Sequence, residues 1–226
     1  MVADLILVPT KQEKEPFLAS LEELLDRDDA RDHREFRVEV CGFGLVAAAA
    51  RTAELLFRHT PDRVLLTGIA GAYEPLLVVG EAFDFGAVAC YGVGAGEGGA
   101  FQPAGQIGWK HWADSPEIGD QLGLASDLSS SASVSNRLLL SVASISSSPE
   151  EATAKRRVFP TALAEDMECF AVAVACRLAG VPLACIRGIS NLAGQRDKSQ
   201  WRIAEAIASA ARQAAVWLQP GINSRD

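Results

Sequence analysis

The chain has 226 residues, 49% of them apolar, a length and composition that suit one domain with a sizeable buried core. Asp and Glu number 29 against 21 Lys and Arg, so the net charge is −8 and no basic block interrupts it, which argues against nucleic acid as a partner. No apolar run approaches membrane-spanning length, and the stretch from Met1 to Val8 is too short and lacks the basic start of a signal peptide, so neither membrane nor export is expected.

The five cysteines, Cys41, Cys90, Cys169, Cys176 and Cys185, form no C-x-x-C pair and each stands in an apolar stretch. They read as reduced core residues of a cytoplasmic protein. His33, His59 and His111 lie far apart without ligand spacing, so no metal is expected.

In chain order, Leu5 to Val8 is a short buried strand. Thr10 then offers an N-cap for a helix over Glu13 to Leu25, with apolar positions at Phe17, Leu18, Leu21, Leu24 and Leu25. The charged run from Asp26 to Glu35 reads as a solvated loop, and Phe36 to Val40 alternates as a strand before Gly42-Phe43-Gly44. The Ala-rich stretch from Leu45 to Phe57 is helical, and Arg63 to Thr67 is a strand that stops at Gly68-Ile69-Ala70-Gly71. Val78 to Tyr91, broken by Gly80 and Gly86, suits one or two strands.

Gly92 to Gly108 holds seven glycines and reads as a mobile loop. The Ser-rich stretch from Ser126 to Ser148 encloses a strand candidate at Leu138 to Val142. Met167 to Ala179 is predicted as an apolar helix, Pro182 to Ile189 as a buried strand, and Trp201 to Leu218 as an amphipathic helix. This alternation predicts a single α/β domain over residues 1–226, with a mixed, mainly parallel central sheet and helices on both faces. Ligands of such sheets sit at the strand C-terminal ends.

Four candidates fall just after predicted strands: Glu13, the Gly68 to Gly71 turn, Glu168, and Ser190-Asn191. Each has two readings. Glu13 is either a first-turn helix charge or a general base, and Glu168, with Glu165 and Asp166, is either a helix-dipole charge or a carboxylate for a sugar diol over Met167. The glycine turn either only reverses the chain or admits a ligand, and Asn191 either forms a turn or contacts that ligand.

Taken together, Pro9-Thr10-x-x-Glu13, Gly42-Phe43-Gly44, Thr67-Gly68-Ile69-Ala70-Gly71, Val79-Gly80-Glu81, Glu165-Asp166-Met167-Glu168 and Ile186-Arg187-Gly188-Ile189-Ser190-Asn191 resemble, in order and spacing, the purine nucleoside phosphorylase and nucleosidase superfamily. The stretch Ser190 to Asp197, followed by Trp201, is most similar to its futalosine hydrolase branch. The resemblance implies cleavage of an N-glycosidic bond, of futalosine to hypoxanthine and dehypoxanthine futalosine in menaquinone biosynthesis. A phosphorylase, a methylthioadenosine/S-adenosylhomocysteine nucleosidase and a non-catalytic nucleoside-binding relative are the alternatives.

By the same resemblance Glu13 activates water, Glu168 binds the ribose hydroxyls above Met167, and Gly71 and Ser190 line the site. Asn191 replaces the aspartic acid of adenine-specific nucleosidases, which implies a 6-oxopurine. Arg196 or Lys198 would meet the aryl carboxylate of futalosine, and Arg51 or Arg187 would be the cation of a phosphorylase. No metal or organic cofactor is implied. A homo-oligomer, at least a dimer, is. The loops at Gly92 to Gly99 and Ser144 to Ser148 match the family poorly, and among Phe43, Tyr91 and Phe101 no base-stacking aromatic stands out.

Overall fold

A computed structural model describes residues 4–27, 33–73, 76–125 and 137–219. The first half runs β1 (Asp4–Val8), α1 (Lys11–Arg27), β2 (Phe36–Val40), α2 (Leu45–His59), β3 (Arg63–Leu66), β4 (Ile69–Ala72), β5 (Ala82–Phe85) and β6 (Ala87–Tyr91). A hairpin of β7 (Gly94–Ala95) and β8 (Gln102–Pro103) follows, then β9 (Gln121–Gly123) and β10 (Leu138–Val142). The last part is α3 (Pro149–Val158), β11 (Ala162–Asp166), α4 (Cys169–Ala179), β12 (Leu183–Leu192) and α5 (Ile203–Trp217).

Among the described residues the main sheet has ten strands in the order β2-β1-β3-β12-β4-β11-β10-β6-β9, with β5 added against β12. Strand β1 shows how it is covered. Leu5 and Leu7 face a core shared with α2 and α4, while Ile6 and Val8 face a second core closed by α1 and α5. A strand covered on both sides must be apolar at every position, which explains the unbroken Leu5 to Val8 run. The expected mixed sheet with helices on both faces is therefore present.

β4 pairs parallel with β12 but antiparallel with β11. Strand direction reverses there, so the C-terminal ends of β1 and β3 approach from one side and those of β10 and β11 from the other. A reversal of this kind leaves a crevice that no crossover covers.

Several local expectations change. The helix expected over Met167 to Ala179 is present but starts two residues later, at Cys169, after β11 has run to Asp166. Ile69 to Ala72 is a strand, not only a glycine turn, and Ser190 and Asn191 lie inside β12, not beyond it. The glycine-rich stretch contains the β7–β8 hairpin, with Gly94 opposite Pro103, where a loop was expected. Helix α3 was not expected at all, and the part of the Ser-rich segment over residues 126–136 lies outside the described residues.

All five cysteines are buried free thiols, as their apolar surroundings predicted, and burial pushes Cys41, Cys90 and Cys176 up to about 12. No helix among the described residues is long and apolar enough to cross a membrane.

Candidate active site

A cavity of about 480 Å³ opens at the reversal, and Glu13, Gly71, Met167, Glu168, Ser190 and Asn191 all line it. Residues separated by up to 178 positions therefore share one site. It has two chemically different ends.

Glu13 stands in the first turn of α1, whose amides favour an acidic side chain. Thr10 caps that turn by accepting the Glu13 N–H at 3.2 Å. The Glu13 carboxylate is not spent on the helix. It accepts the Thr10 hydroxyl at 2.6 Å and the Ile69 N–H at 3.1 Å, across the sheet. Gly68 makes this possible: at φ +130 a Cβ there would lie 2.6 Å from Arg187 Nη1 and 2.9 Å from Glu13 Oε1. Only glycine permits that approach.

Glu168 precedes α4 but its side chain does not cap the helix. Asp166 and Ser141 do, taking the Cys169 and Phe170 N–H groups at 2.9 and 2.8 Å. This releases the Glu168 carboxylate to accept the Gly44 N–H at 3.0 Å and Arg187 Nη2 at 3.3 Å. Burial lifts Glu168 to about 7, Arg187 pulls it down, and Asp166 lifts it again.

Arg187 is completely buried and donates to the Thr67 carbonyl, Glu168 and Asp166. Desolvation opposes its charge, yet Asp166 and the other neighbouring groups raise its pKa above the ordinary arginine value. Its Nη1 and Nη2 groups are thus engaged by the protein, while Nε is buried without a hydrogen-bond partner among the described residues. Arg51 is far from this role, paired on the surface of α2 with Glu54 at 2.6 Å.

At the other end, β12 shifts register between Ile189 and Asn191, and an irregularity of this kind re-aims side chains. Ser190 and Asn191 consequently both border the cavity. Ser190 Oγ donates to Asn191 Oδ1 at 2.7 Å, and Asn191 Nδ2 donates to the Leu192 carbonyl at 2.8 Å. One amide proton is left for a ligand. Gly71 lies beside Asn191, with its Cβ position 3.4 Å from Nδ2.

Residues the sequence reading did not place also border this end: Ile145, Ser146 and Glu165. Glu165 is buried in β11, opposite Gly71. The outer mouth carries Phe43, Arg196, Lys198, Trp201 and Ile203. Of the aromatic candidates, Phe43 lines the cavity, whereas Tyr91 and Phe101 pack on each other at 4.5 Å.

The fold and the crevice at the strand reversal define an α/β protein with a carboxylate-rich cavity. A family model described as the phosphorylase superfamily matches residues 34–218, and the chain belongs to that superfamily. Gly71, Met167, Glu168, Ser190 and Asn191 fall inside the matched stretch, while Glu13 precedes it.

The chain is 34% identical over 173 residues to futalosine hydrolase of Thermus thermophilus, covering 76% of each chain. It is 30% identical to a 5'-methylthioadenosine/S-adenosylhomocysteine nucleosidase of Tolumonas auensis over 70% of this chain and 69% of that one. The futalosine hydrolase structure of Helicobacter pylori superposes with a TM-score of 0.73 at 19% identity, over 95% of this chain and 96% of the other.

Proposed function

We propose that this protein is a nucleosidase that hydrolyses the N-glycosidic bond of futalosine, releasing hypoxanthine and dehypoxanthine futalosine as a step of menaquinone biosynthesis. The carrying observation is the placement of Glu13 and Glu168 at one end of a cavity with the Asn191 amide at the other. Such cleavage passes through an oxocarbenium-like sugar, so it needs an anionic surface at the sugar, a positioned water and stabilisation of the departing base.

Glu13, held by Thr10 and Ile69, is the base that takes a proton from water as oxygen attacks the anomeric carbon. Glu168 accepts the ribose hydroxyls above Met167, and its charge also stabilises the cationic sugar. Asn191, its carbonyl oxygen engaged by Ser190, donates its amide to the hypoxanthine anion, which spreads negative charge onto O6. Adenine lacks that acceptor and is better served by an acid, so the amide favours a 6-oxopurine.

Hydrolysis is favoured over phosphorolysis because two carboxylates would repel phosphate and the nearby Arg187 is already bound to Asp166, Glu168 and Thr67. Futalosine is favoured over methylthioadenosine by the mouth. Arg196 and Lys198 line it without a side-chain hydrogen bond or ion pair among the described residues, and futalosine, unlike methylthioadenosine, brings a carboxylate to meet them.

The reaction takes place in the cytoplasm, consistent with five buried free thiols. The protein acts as a homodimer through the exposed apolar face of α2, where Val46 is 86% and Phe57 89% exposed. Light scattering tests this: Phe57→Glu is expected to convert dimer to monomer, and a monomeric wild type overturns it.

The decisive assay follows free base from futalosine, inosine and methylthioadenosine, each with and without phosphate. Phosphate-independent hypoxanthine release from futalosine is expected. Adenine release from methylthioadenosine would assign the other nucleosidase activity, and a phosphate requirement would make the protein a phosphorylase. Asn191→Asp is expected to shift preference toward adenine nucleosides, and an unaltered preference removes Asn191 from base selection.

A further inference from the structure

Glu165 is the one carboxylate lining the cavity, besides the Arg187-bound Asp166, that the reaction above does not use. It is 3% exposed and sits in β11, paired with Gly71 beside Asn191. Oε1 accepts the Ser146 N–H at 2.7 Å. Oε2 accepts the Ser146 hydroxyl at 2.8 Å, the Tyr73 hydroxyl at 3.0 Å and Lys155 Nζ at 3.5 Å.

Each carboxylate oxygen has about two acceptor sites, so the three donors on Oε2 saturate it, while Oε1 accepts one donor and keeps one site. Burial beside Glu165 raises the Tyr73 phenol above its ordinary pKa, so it stays protonated and remains a donor. Glu165 therefore has one acceptor site, on Oε1, that its protein partners do not take. Its bonds all go to the structure around it.

Lys155, from α3, is 5% exposed and has a second partner: it donates to the Ser144 carbonyl at 2.6 Å. The two members of one buried ion pair thus hold the residues on either side of Ile145. The segment so held, Ser144 to Ser146, borders the cavity through Ile145 and Ser146, and Asn191 lines the same cavity. Gly194, just past β12, closes the same end: at φ +90 its Cβ position would fall 2.4 Å from the Ser148 backbone.

An irregular segment of this kind would ordinarily be adjustable. Charged, buried partners make it stiff, since breaking one strands the other without solvent.

We propose that Glu165 and Lys155 are positioning residues that fix Ser144 to Ser146 as a rigid wall of the base end, so that they set base affinity and base discrimination while leaving turnover to Glu13 and Glu168. This rests on the nucleosidase reading for which end holds the base. The pair touches no reacting atom, and its effect reaches the ligand only through Ile145 and Ser146.

The test uses Glu165→Gln, Lys155→Met and the double variant, each compared with wild type for kcat, KM and the Kd of free hypoxanthine. Each single variant is expected to raise KM and Kd by about tenfold, the size of one lost charge-assisted hydrogen bond, with kcat changing less than about threefold. The double variant is expected to be no worse than the weaker single one, because the two groups act as a unit. Discrimination between hypoxanthine and adenine nucleosides is expected to narrow in all three.

Unchanged KM, Kd and base preference in folded variants would overturn the proposal, and so would a fall in kcat alone, which would make Glu165 catalytic. Hydrogen exchange on the wild type covers the case in which the variants fail to fold. The Ser146 amide is expected to be protected like the amides of β10, and exchange at the rate of a surface loop overturns the rigid wall. Absence of base release by the wild type from every nucleoside, with Ser146 protected, would fail the nucleosidase reading and not the brace.

Discussion

The two ends of the cavity use the same side chain in opposite ways. At the sugar end Glu13 accepts two donors, Thr10 and Ile69, and Glu168 accepts two, Gly44 and Arg187. Each keeps acceptor capacity facing the cavity. At the base end Glu165 accepts four donors, three of them on Oε2, and keeps one site on Oε1. The more of a buried carboxylate's lone pairs the protein's own donors take, the less it has for a ligand and the more it serves the surrounding structure.

That contrast is broken most directly by Glu13→Gln. Loss of a general base is expected to lower kcat by about 10²–10⁴-fold with KM little altered, measured by steady-state and single-turnover base release. Glu165→Gln should leave kcat nearly intact, and equal kcat losses in the two variants would erase the distinction.

Gly68→Ala comes next. Its Cβ would meet Arg187 and Glu13 at a φ of +130, so stability is expected to fall by roughly 1–3 kcal/mol, read from the urea midpoint, with activity lowered as Glu13 is displaced. A wild-type midpoint would show that the Glu13–Arg187 approach is looser than described.

The pH dependence sharpens the sugar end. Burial raises Glu168 from 4.5 to about 7, so kcat/KM is expected to drop as pH falls through about 7 and the carboxylate gains a proton. The stability effect has the opposite sign. A raised folded-state pKa contributes stability that is full below 4.5 and lost as pH rises through about 7, so the protein should resist urea better on the acidic side of that window. Glu168→Gln should flatten both profiles, and an acidic limb that survives in this variant belongs to another group.

The smallest effect is expected at the mouth. Arg196→Ala and Lys198→Ala should each raise KM for futalosine by about three- to tenfold and leave KM for inosine unchanged. Equal changes for both substrates would remove the carboxylate contact.

Much of this fold was legible. β1, α1, β2, α2, β3, β10 and α5 follow from apolar runs, 3.6-residue periodicity and the Thr10 cap. Helix α3 was legible and passed over: Ser148 is its N-cap, Pro149 opens it, Glu150 and Glu151 fill its first turn and Lys155 to Arg157 its last. Its Ser-rich approach disguised that signature.

β11 was not legible. Glu165-Asp166-Met167-Glu168 before an apolar run reads as the acidic start of a helix, a favourable local arrangement. What turns Glu165 and Asp166 into buried strand residues is their ion partners, Lys155 and Arg187, ten and 21 residues away. Local propensity carries no record of partners at that distance.

The amino-acid sequence by itself determined the alternation of strands and helices, the absence of a basic block, and the identities of Glu13, Glu168 and Asn191 as groups worth placing in a site. Periodicity and composition are local properties and suffice for the first two; the three side chains stand out by their places after strands and by the resemblance of their motifs to the phosphorylase superfamily. Only the tertiary structure decided which carboxylates face a ligand. Glu13 meets Ile69 across 56 residues and Glu168 meets Gly44 across 124, and the lone pairs left over after such contacts are a property of the folded chain alone.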